Sequence, residues 1–165
     1  MIIRKATYED LDKIMKIVDE NRAAMLKEEN TQWDDGYPAV EHFTSDIDNG
    51  VLYAAEDEGE LLGVICLNEV GSEGYSHVHW RKRGSAIVIH RMNVSPTLRH
   101  KGVGRQLVEF GENLAREKGL DYIKADTYCE NHRMMAFLKK CGFEKAGEIY
   151  LRNKPNPFHC FEKLL

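Results

Sequence analysis

The stretch "SAIVIHRMNVSPTLRHKGVGRQLVEF", residues 85–110, commits this chain to one local architecture. A mostly apolar run ends at Pro96, which has no N–H to give to a ladder and so stops a strand. Val103, Leu107, Phe110, Gly111 and Leu114 then recur at helical spacing, up to a terminating glycine at Gly119. "DYIKADTY" follows as a second strand. Strand, helix and strand across 86–126 predict a right-handed crossover with parallel ends.

The remaining elements assemble around that unit. "IIRKA" reads as an opening strand. Thr7 with Asp10 approximates a capping box, before Leu11, Ile14, Met15, Val18 and Met25 mark a helix. That helix fades at "KEENTQWDDGYP", and a shorter one runs from about Pro38 to Asp48. "VLYAAED" and "LLGVICLNEV", joined through "EGE", form a hairpin. "GSEGYSHVHWRKRG" reads as a polar loop or hairpin tip. "NHRMMAFLKKCGF" is a helix closed by Gly142, and "EKAGEIYL" and "FHCFEKLL" are strands around "RNKPNP". The order β-α-α-β-β-β-α-β-α-β-β predicts an α/β (α+β) fold: a mixed, largely antiparallel central sheet flanked by helices on both faces.

No linker, repeat or low-complexity segment interrupts this order, so residues 1–165 read as one domain. The net charge of −4 argues against general nucleic-acid affinity and makes the basic cluster at 99–105 a local feature. No stretch reads as a membrane span or a secretory core. Cys66, Cys129, Cys141 and Cys160 lack a paired spacing, which fits reduced thiols and a cytoplasmic location.

Arg99, His100, Lys101, Gly102, Gly104 and Arg105 sit where a strand gives way to a helix. The first turn of a helix carries unpaired N–H groups and a partial positive charge, glycines admit a bulky anion, and basic side chains add charge at the rim. This suits a pyrophosphate; an exposed basic loop is the alternative. A P-loop would need Lys-Ser/Thr after Gly104, where Arg105-Gln106 stand. A dinucleotide fingerprint would need a third glycine at Leu107.

With Val94, Pro96, Arg99, Gly102 and Gly104 in this spacing, and with Asn131 leading through a helix to Gly142-Phe143, the chain resembles the GNAT-type N-acetyltransferase superfamily. "QWDDGYP", "HRMNVSP", "DTYCEN" and "CFEK" look closer still to an uncharacterised bacterial branch of it. The resemblance implies acetyl-coenzyme A as cosubstrate and no metal. The backbone N–H groups of His100, Lys101, Gly102, Val103, Gly104 and Arg105 would hold its pyrophosphate, with Arg99 also binding the cofactor. Met92, Asn93 and Val94 would pair with the pantetheine amides as an added strand. Asn131 and Phe137 would meet the pantetheine arm. Lys140 would either reach a phosphate or lie on a solvated helix face.

Acyl transfer to an amine requires a neutral amine, a donor for the oxyanion and a departing thiolate. A backbone N–H near Val94 is placed for the oxyanion. Family members commonly carry a tyrosine as acid where this chain has Leu138, and some carry a glutamate as base where it has Val88. Tyr128 is the substitute acid, or a packed aromatic. Glu69 and His90 are the substitute bases, or a strand-end carboxylate and a core histidine.

The acceptor is a primary amine, small molecule or peptide. Trp33 and Tyr37, among Glu28, Glu29, Asp34 and Asp35, would suit a cation, unless Trp33 plugs the core. His77 and His79 lack a third ligand at a zinc spacing. Arg81, Lys82 and Arg83 read as a solvated tip. Cys129 with His132 would suggest a thiol hydrolase, but both flank Asn131. Monomer and homodimer both remain open. The rival to an enzyme is an acyl-CoA-binding regulatory or sensor module, favoured by Leu138 and Val88.

Overall fold

A computed structural model describes residues 1–98 and 101–165; Arg99 and His100, and the two cradle roles expected of them, lie outside the described residues. The elements are β1 (Ile2–Lys5), α1 (Leu11–Lys27), α2 (Val40–Asp48), β2 (Leu52–Asp57), β3 (Glu60–Asn68), β4 (Ile87–Val94), α3 (Val103–Glu117), β5 (Tyr122–Tyr128), α4 (His132–Lys140), β6 (Glu144–Ile149) and β7 (Phe158–Leu164). This is the order expected from the sequence. The strands run β1-β2-β3-β4-β5-β7-β6 in a mixed sheet. β4 and β5 are parallel, as a crossover requires, and the pairs β1–β2, β2–β3, β5–β7 and β6–β7 are antiparallel.

Two compact units share the chain, residues 1–67 with 90–110 and residues 68–89 with 111–165. In the first, α1 and α2 bury Ile14, Val18 and Phe43 with Leu52, Ala54, Val64 and Cys66 of β2 and β3. Such aliphatic clustering is the main driving term for a unit of this size. The Thr7 amide donates to Asp10 Oδ2 at 2.8 Å, and the pair caps a short 3-10 turn, Tyr8–Asp10, that feeds α1. Arg4 Nη1 and Nη2 reach Asp10 at 2.8 and 2.9 Å and hold its carboxyl below the usual range against the opposing effect of burial. α2 begins two residues after Pro38, with His42 Nδ1 accepting from the Ala39 amide at 2.9 Å.

In the second unit, β4 contributes Ile87, Val88 and Ile89, paired with Ile123, Lys124 and Ala125. Side chains alternate along a strand, so Tyr122, Lys124, Asp126 and Tyr128 share one face of β5. Phe158, Cys160 and Glu162 of β7 stand opposite Tyr128, Asp126 and Lys124. α4 ends as its glycine predicts: Gly142 takes φ +88°, and the Phe143 amide returns to Leu138 O at 3.0 Å.

The segment 69–86 departs from expectation. It is not a solvated tip. Tyr75 and Trp80 stack at 4.9 Å, and Tyr75 joins Val88, Tyr128, Ile149 and Phe158 in the core of this unit. Arg81 Nε donates to Glu162 at 3.0 Å, and Lys82 pairs with Asp121. A local count of polar residues could not foresee this, because Arg81 and Lys82 meet carboxylates about 40 to 80 positions away in sequence.

Candidate active site

β4 breaks its own alternation at Arg91, which takes φ +47°, a conformation seldom adopted by a long side chain without compensation. The compensation is visible. Arg91 Nε and Nη2 bind Asp46 at 2.7 and 2.6 Å, and Nη1 reaches Tyr37 Oη at 3.2 Å. Both partners of the ion pair are largely buried. Burial opposes the guanidinium charge, but the hydrogen bonds that Arg91 donates to Asp46, together with the nearby Tyr37, Asp46 and Cys66, raise the Arg91 pKa. Sequence reasoning missed both residues. Their signal, one Arg within an apolar strand and one Asp on the apolar face of α2, was faint.

Beyond the break, the Asn93 side chain turns inward. Asn21 Nδ2 donates to Asn93 Oδ1 at 2.6 Å and to Val94 O at 2.8 Å, and both asparagines are buried. The Asn93 Oδ1 is thus engaged within the protein, while Met92 and Val94 on either side of it are both half-buried. Gly63 permits this course: a Cβ there would lie 2.6 Å from Asn93 O.

The Pro96–Leu98 turn leads to Gly102, whose φ of +83° requires glycine. The Gln106 amide binds Gly102 O at 3.1 Å and starts the α3 ladder, so the amides of Val103 and Gly104 precede it at the positive end of the helix. The buried Val103 side chain anchors this turn and leaves only its main chain for a ligand. Among the described residues, a Cβ on Gly102 would meet nothing nearer than Gln106 Nε2 at 4.0 Å. Arg105 Nε lies along the helix on Glu109 at 3.1 Å, and Lys101 is exposed.

The other expected residues are placed as follows. Trp33 is 8% exposed and packs in the α1–α2 core, whereas Tyr37 reaches β4 through Arg91. His90 is half-buried. Glu69 is exposed, with Oε1 on Lys118 Nζ at 3.0 Å. Tyr128 is fully buried against Phe158, ring centroids 5.0 Å apart. Asn131 caps α4, its Oδ1 accepting from the Met134 amide at 3.1 Å. Phe137 is half-buried and Lys140 exposed in the last turn of that helix. Val88 and Leu138 are both core residues at 2% exposure.

The second unit also holds a cavity of about 650 Å³ between segment 69–86 and β5, walled by Tyr75, Trp80, Val88 and Lys124 among others. On the same face, Asp126 Oδ2 accepts from Ser72 Oγ at 2.7 Å and from Tyr75 Oη at 2.8 Å. Burial and this carboxylate push the Tyr75 hydroxyl pKa well up. Lys124 and Asp126 went unremarked in the sequence, although they alternate with Tyr122 and Tyr128 and so had to share the face those aromatics bury. The thiols are quiet: burial pushes Cys66 and Cys160 up to about 12, and burial raises Cys129 as well, which speaks against a thiolate nucleophile.

Residues 14–143 match the acetyltransferase (GNAT) family. The chain belongs to this family. Its members use acetyl-CoA as the acetyl donor. A GNAT-family acetyltransferase of Streptococcus agalactiae superposes with a TM-score of 0.86 at 24% identity, over 99% of this chain and 95% of that one. The PaiA N-acetyltransferase of Thermoplasma acidophilum, solved in complex with coenzyme A, shares the fold at TM-score 0.75 and 17% identity, over 99% and 98% of the two chains. The aminoglycoside N(6')-acetyltransferase type 1 of Klebsiella aerogenes is 28% identical over 107 residues, 64% of this chain. The match spans 66% of that relative, just under two thirds of its length. Among the described residues, no helix is long and apolar enough to cross a membrane, and no group of His, Cys, Asp and Glu side chains forms a metal-ligand set.

Proposed function

We propose that this chain is an N-acetyltransferase that moves the acetyl group of acetyl-CoA to a primary amine by direct attack. The observation that carries the reading is the left-handed Gly102 turn opening onto the first turn of α3, in a chain of the GNAT family. The amides at 101–105 bind the pyrophosphate, and Arg99 and His100 belong to the same cradle by sequence. Main-chain groups of Met92, Asn93 and Val94 pair with pantetheine, and an amide near Val94 donates to the oxyanion. Asn131 and Phe137 serve the pantetheine arm, and Lys140 reaches a phosphate. The reaction takes place in a reducing cytoplasm, consistent with four free cysteines.

The amine must first lose a proton, since a lysine-like ammonium has a pKa of about 10.4. Its lone pair then attacks the thioester carbonyl, the nitrogen gives up a second proton, to solvent or to the departing sulfur, and the C–S bond breaks to release thiolate. A thiol pKa of about 8.5 lets that anion leave without an acid in contact, which suits the aliphatic Leu138. Glu69, His90 and Tyr128 are the candidates for moving the proton, directly or through water.

Thiol release from acetyl-CoA, measured against polyamines, amino acids, aminoglycosides and peptide N-termini, tests the reading; turnover with any of them is expected. The buried aliphatics Val88 and Leu138 favour one rival, an acyl-CoA-binding sensor module. Saturable acetyl-CoA binding with no thiol release across the panel would select the rival.

A further inference from the structure

The end of β4, where the thioester is assigned, is gripped from α1 by a buried polar side chain. Asn21 is 5% exposed, and its Nδ2 donates to Asn93 Oδ1 at 2.6 Å and to Val94 O at 2.8 Å. A further acceptor, Ile17 O, lies one turn back along α1 at 3.2 Å. An asparagine inside a helix is unfavourable, and burying its amide costs more unless the amide is bonded. Here the bonds go to another element. Asn93 gives none back through its own Nδ2, which has no partner among the described residues, so the grip comes from the α1 side.

The peptide after Val94 is thereby held at both ends. A trans peptide points its C=O and N–H in opposite directions. Val94 O meets Asn21, and the Ser95 amide donates to Leu62 O of β3 at 3.0 Å. The main chain is then pinned turn by turn. The Leu98 amide donates to Ser95 O at 3.0 Å, and the Lys101 amide to Leu98 O at 3.2 Å. Lys101 adjoins Gly102, whose carbonyl opens the α3 ladder. All these residues belong to the first unit, and Asn21 heads a succession of bonds from the strand end to the glycine turn.

We propose that Asn21 is a positioning residue for the cosubstrate: by clamping Val94 O it holds the strand end and the Gly102 turn at the separation that one coenzyme A molecule spans between thioester and pyrophosphate. The identity of that molecule rests on the acetyltransfer reading. A ligand held at two points gains from both only while their separation matches its own length, so loss of the clamp penalises the whole molecule and spares its nucleotide half.

Calorimetric titrations of the whole chain compare coenzyme A with that nucleotide half, which carries the pyrophosphate and no pantetheine. Two variants remove the clamp. Asn21→Leu matches the size without a donor, and Asn21→Ser, small and polar, carries the test should circular dichroism show the leucine variant unfolded. Each is expected to bind coenzyme A at least about fivefold more weakly, the worth of one neutral hydrogen bond, and to bind the nucleotide half as wild type does. The KM for acetyl-CoA should rise by the same factor. A merely structural asparagine would lower the urea midpoint and leave the ratio of the two affinities unmoved. Unaltered coenzyme A binding in a folded variant, equal weakening of both ligands, or no binding of the nucleotide half to wild type overturns the inference. If the selective loss appears and no amine yields thiol, the clamp stands and the acetyltransfer reading fails. If thiol is released while the variants bind both ligands as wild type does, the reading stands and the inference fails. A wild-type chain that binds no coenzyme A removes both.

Discussion

Gly102 is the residue on which the proposed cradle turns. Its φ of +83° costs any other side chain about 1–2 kcal/mol, and a β-branched one more. Gly102→Val should therefore weaken acetyl-CoA binding at least about tenfold while circular dichroism stays native. A variant binding as tightly as wild type, in a calorimetric titration, would show that the cradle lies elsewhere. Asp46 is the other informative position. Removing it strands the buried Arg91 guanidinium, whose uncompensated charge costs roughly 3–5 kcal/mol. Asp46→Ala should lower the urea midpoint sharply, and Arg91→Met on that background should recover part of the loss. A double variant no more stable than Asp46→Ala would mean that the ion pair does not carry the effect.

Among elements, the β3–β4 contact is the narrowest tolerance. A methyl on Gly63 would press within 2.6 Å of Asn93 O, so Gly63→Ala must push β4 away or strain it. A loss of about 1–3 kcal/mol is expected by denaturant titration, with a raised KM for acetyl-CoA because Met92–Val94 shift. Unchanged stability and KM would show that the strand yields freely. The elements themselves were legible from the sequence. Thr7-Asp10, Pro96, Gly119 and Gly142 are local signals that need no tertiary partner, and each fell where it was read. Segment 69–86 was not legible, because it folds through Trp80, Arg81 and Lys82 onto strands that follow it in the chain.

At the scale of the molecule, acid should probe the anchoring of the first helix. The Asp10 carboxyl is held below its ordinary 3.8 by Arg4 and the Thr7 amide. Its contribution is therefore complete above that value and is lost as pH falls below it, toward the folded pKa. Asp10→Asn should melt lower than wild type at pH 7, and the gap in Tm should begin to narrow only as pH falls below about 3.8 and go on closing toward the lower folded pKa. A gap that persists unchanged at pH 3 would rule out the charge as its source.

The glycine turn before α3, the crossover and the order of elements along the chain followed from short-range pattern alone: proline and glycine limit φ regardless of what surrounds them, and apolar periodicity fixes which face is buried. The chemistry around that frame did not. Whether Asn93 faces a ligand or Asn21, whether Trp33 greets a substrate or fills a core, and where Arg91 finds its counter-charge depended on residues brought together by folding. Coulomb and hydrogen-bond energies act across a few ångströms of space and take no account of separation along the chain, so only the tertiary structure could decide them.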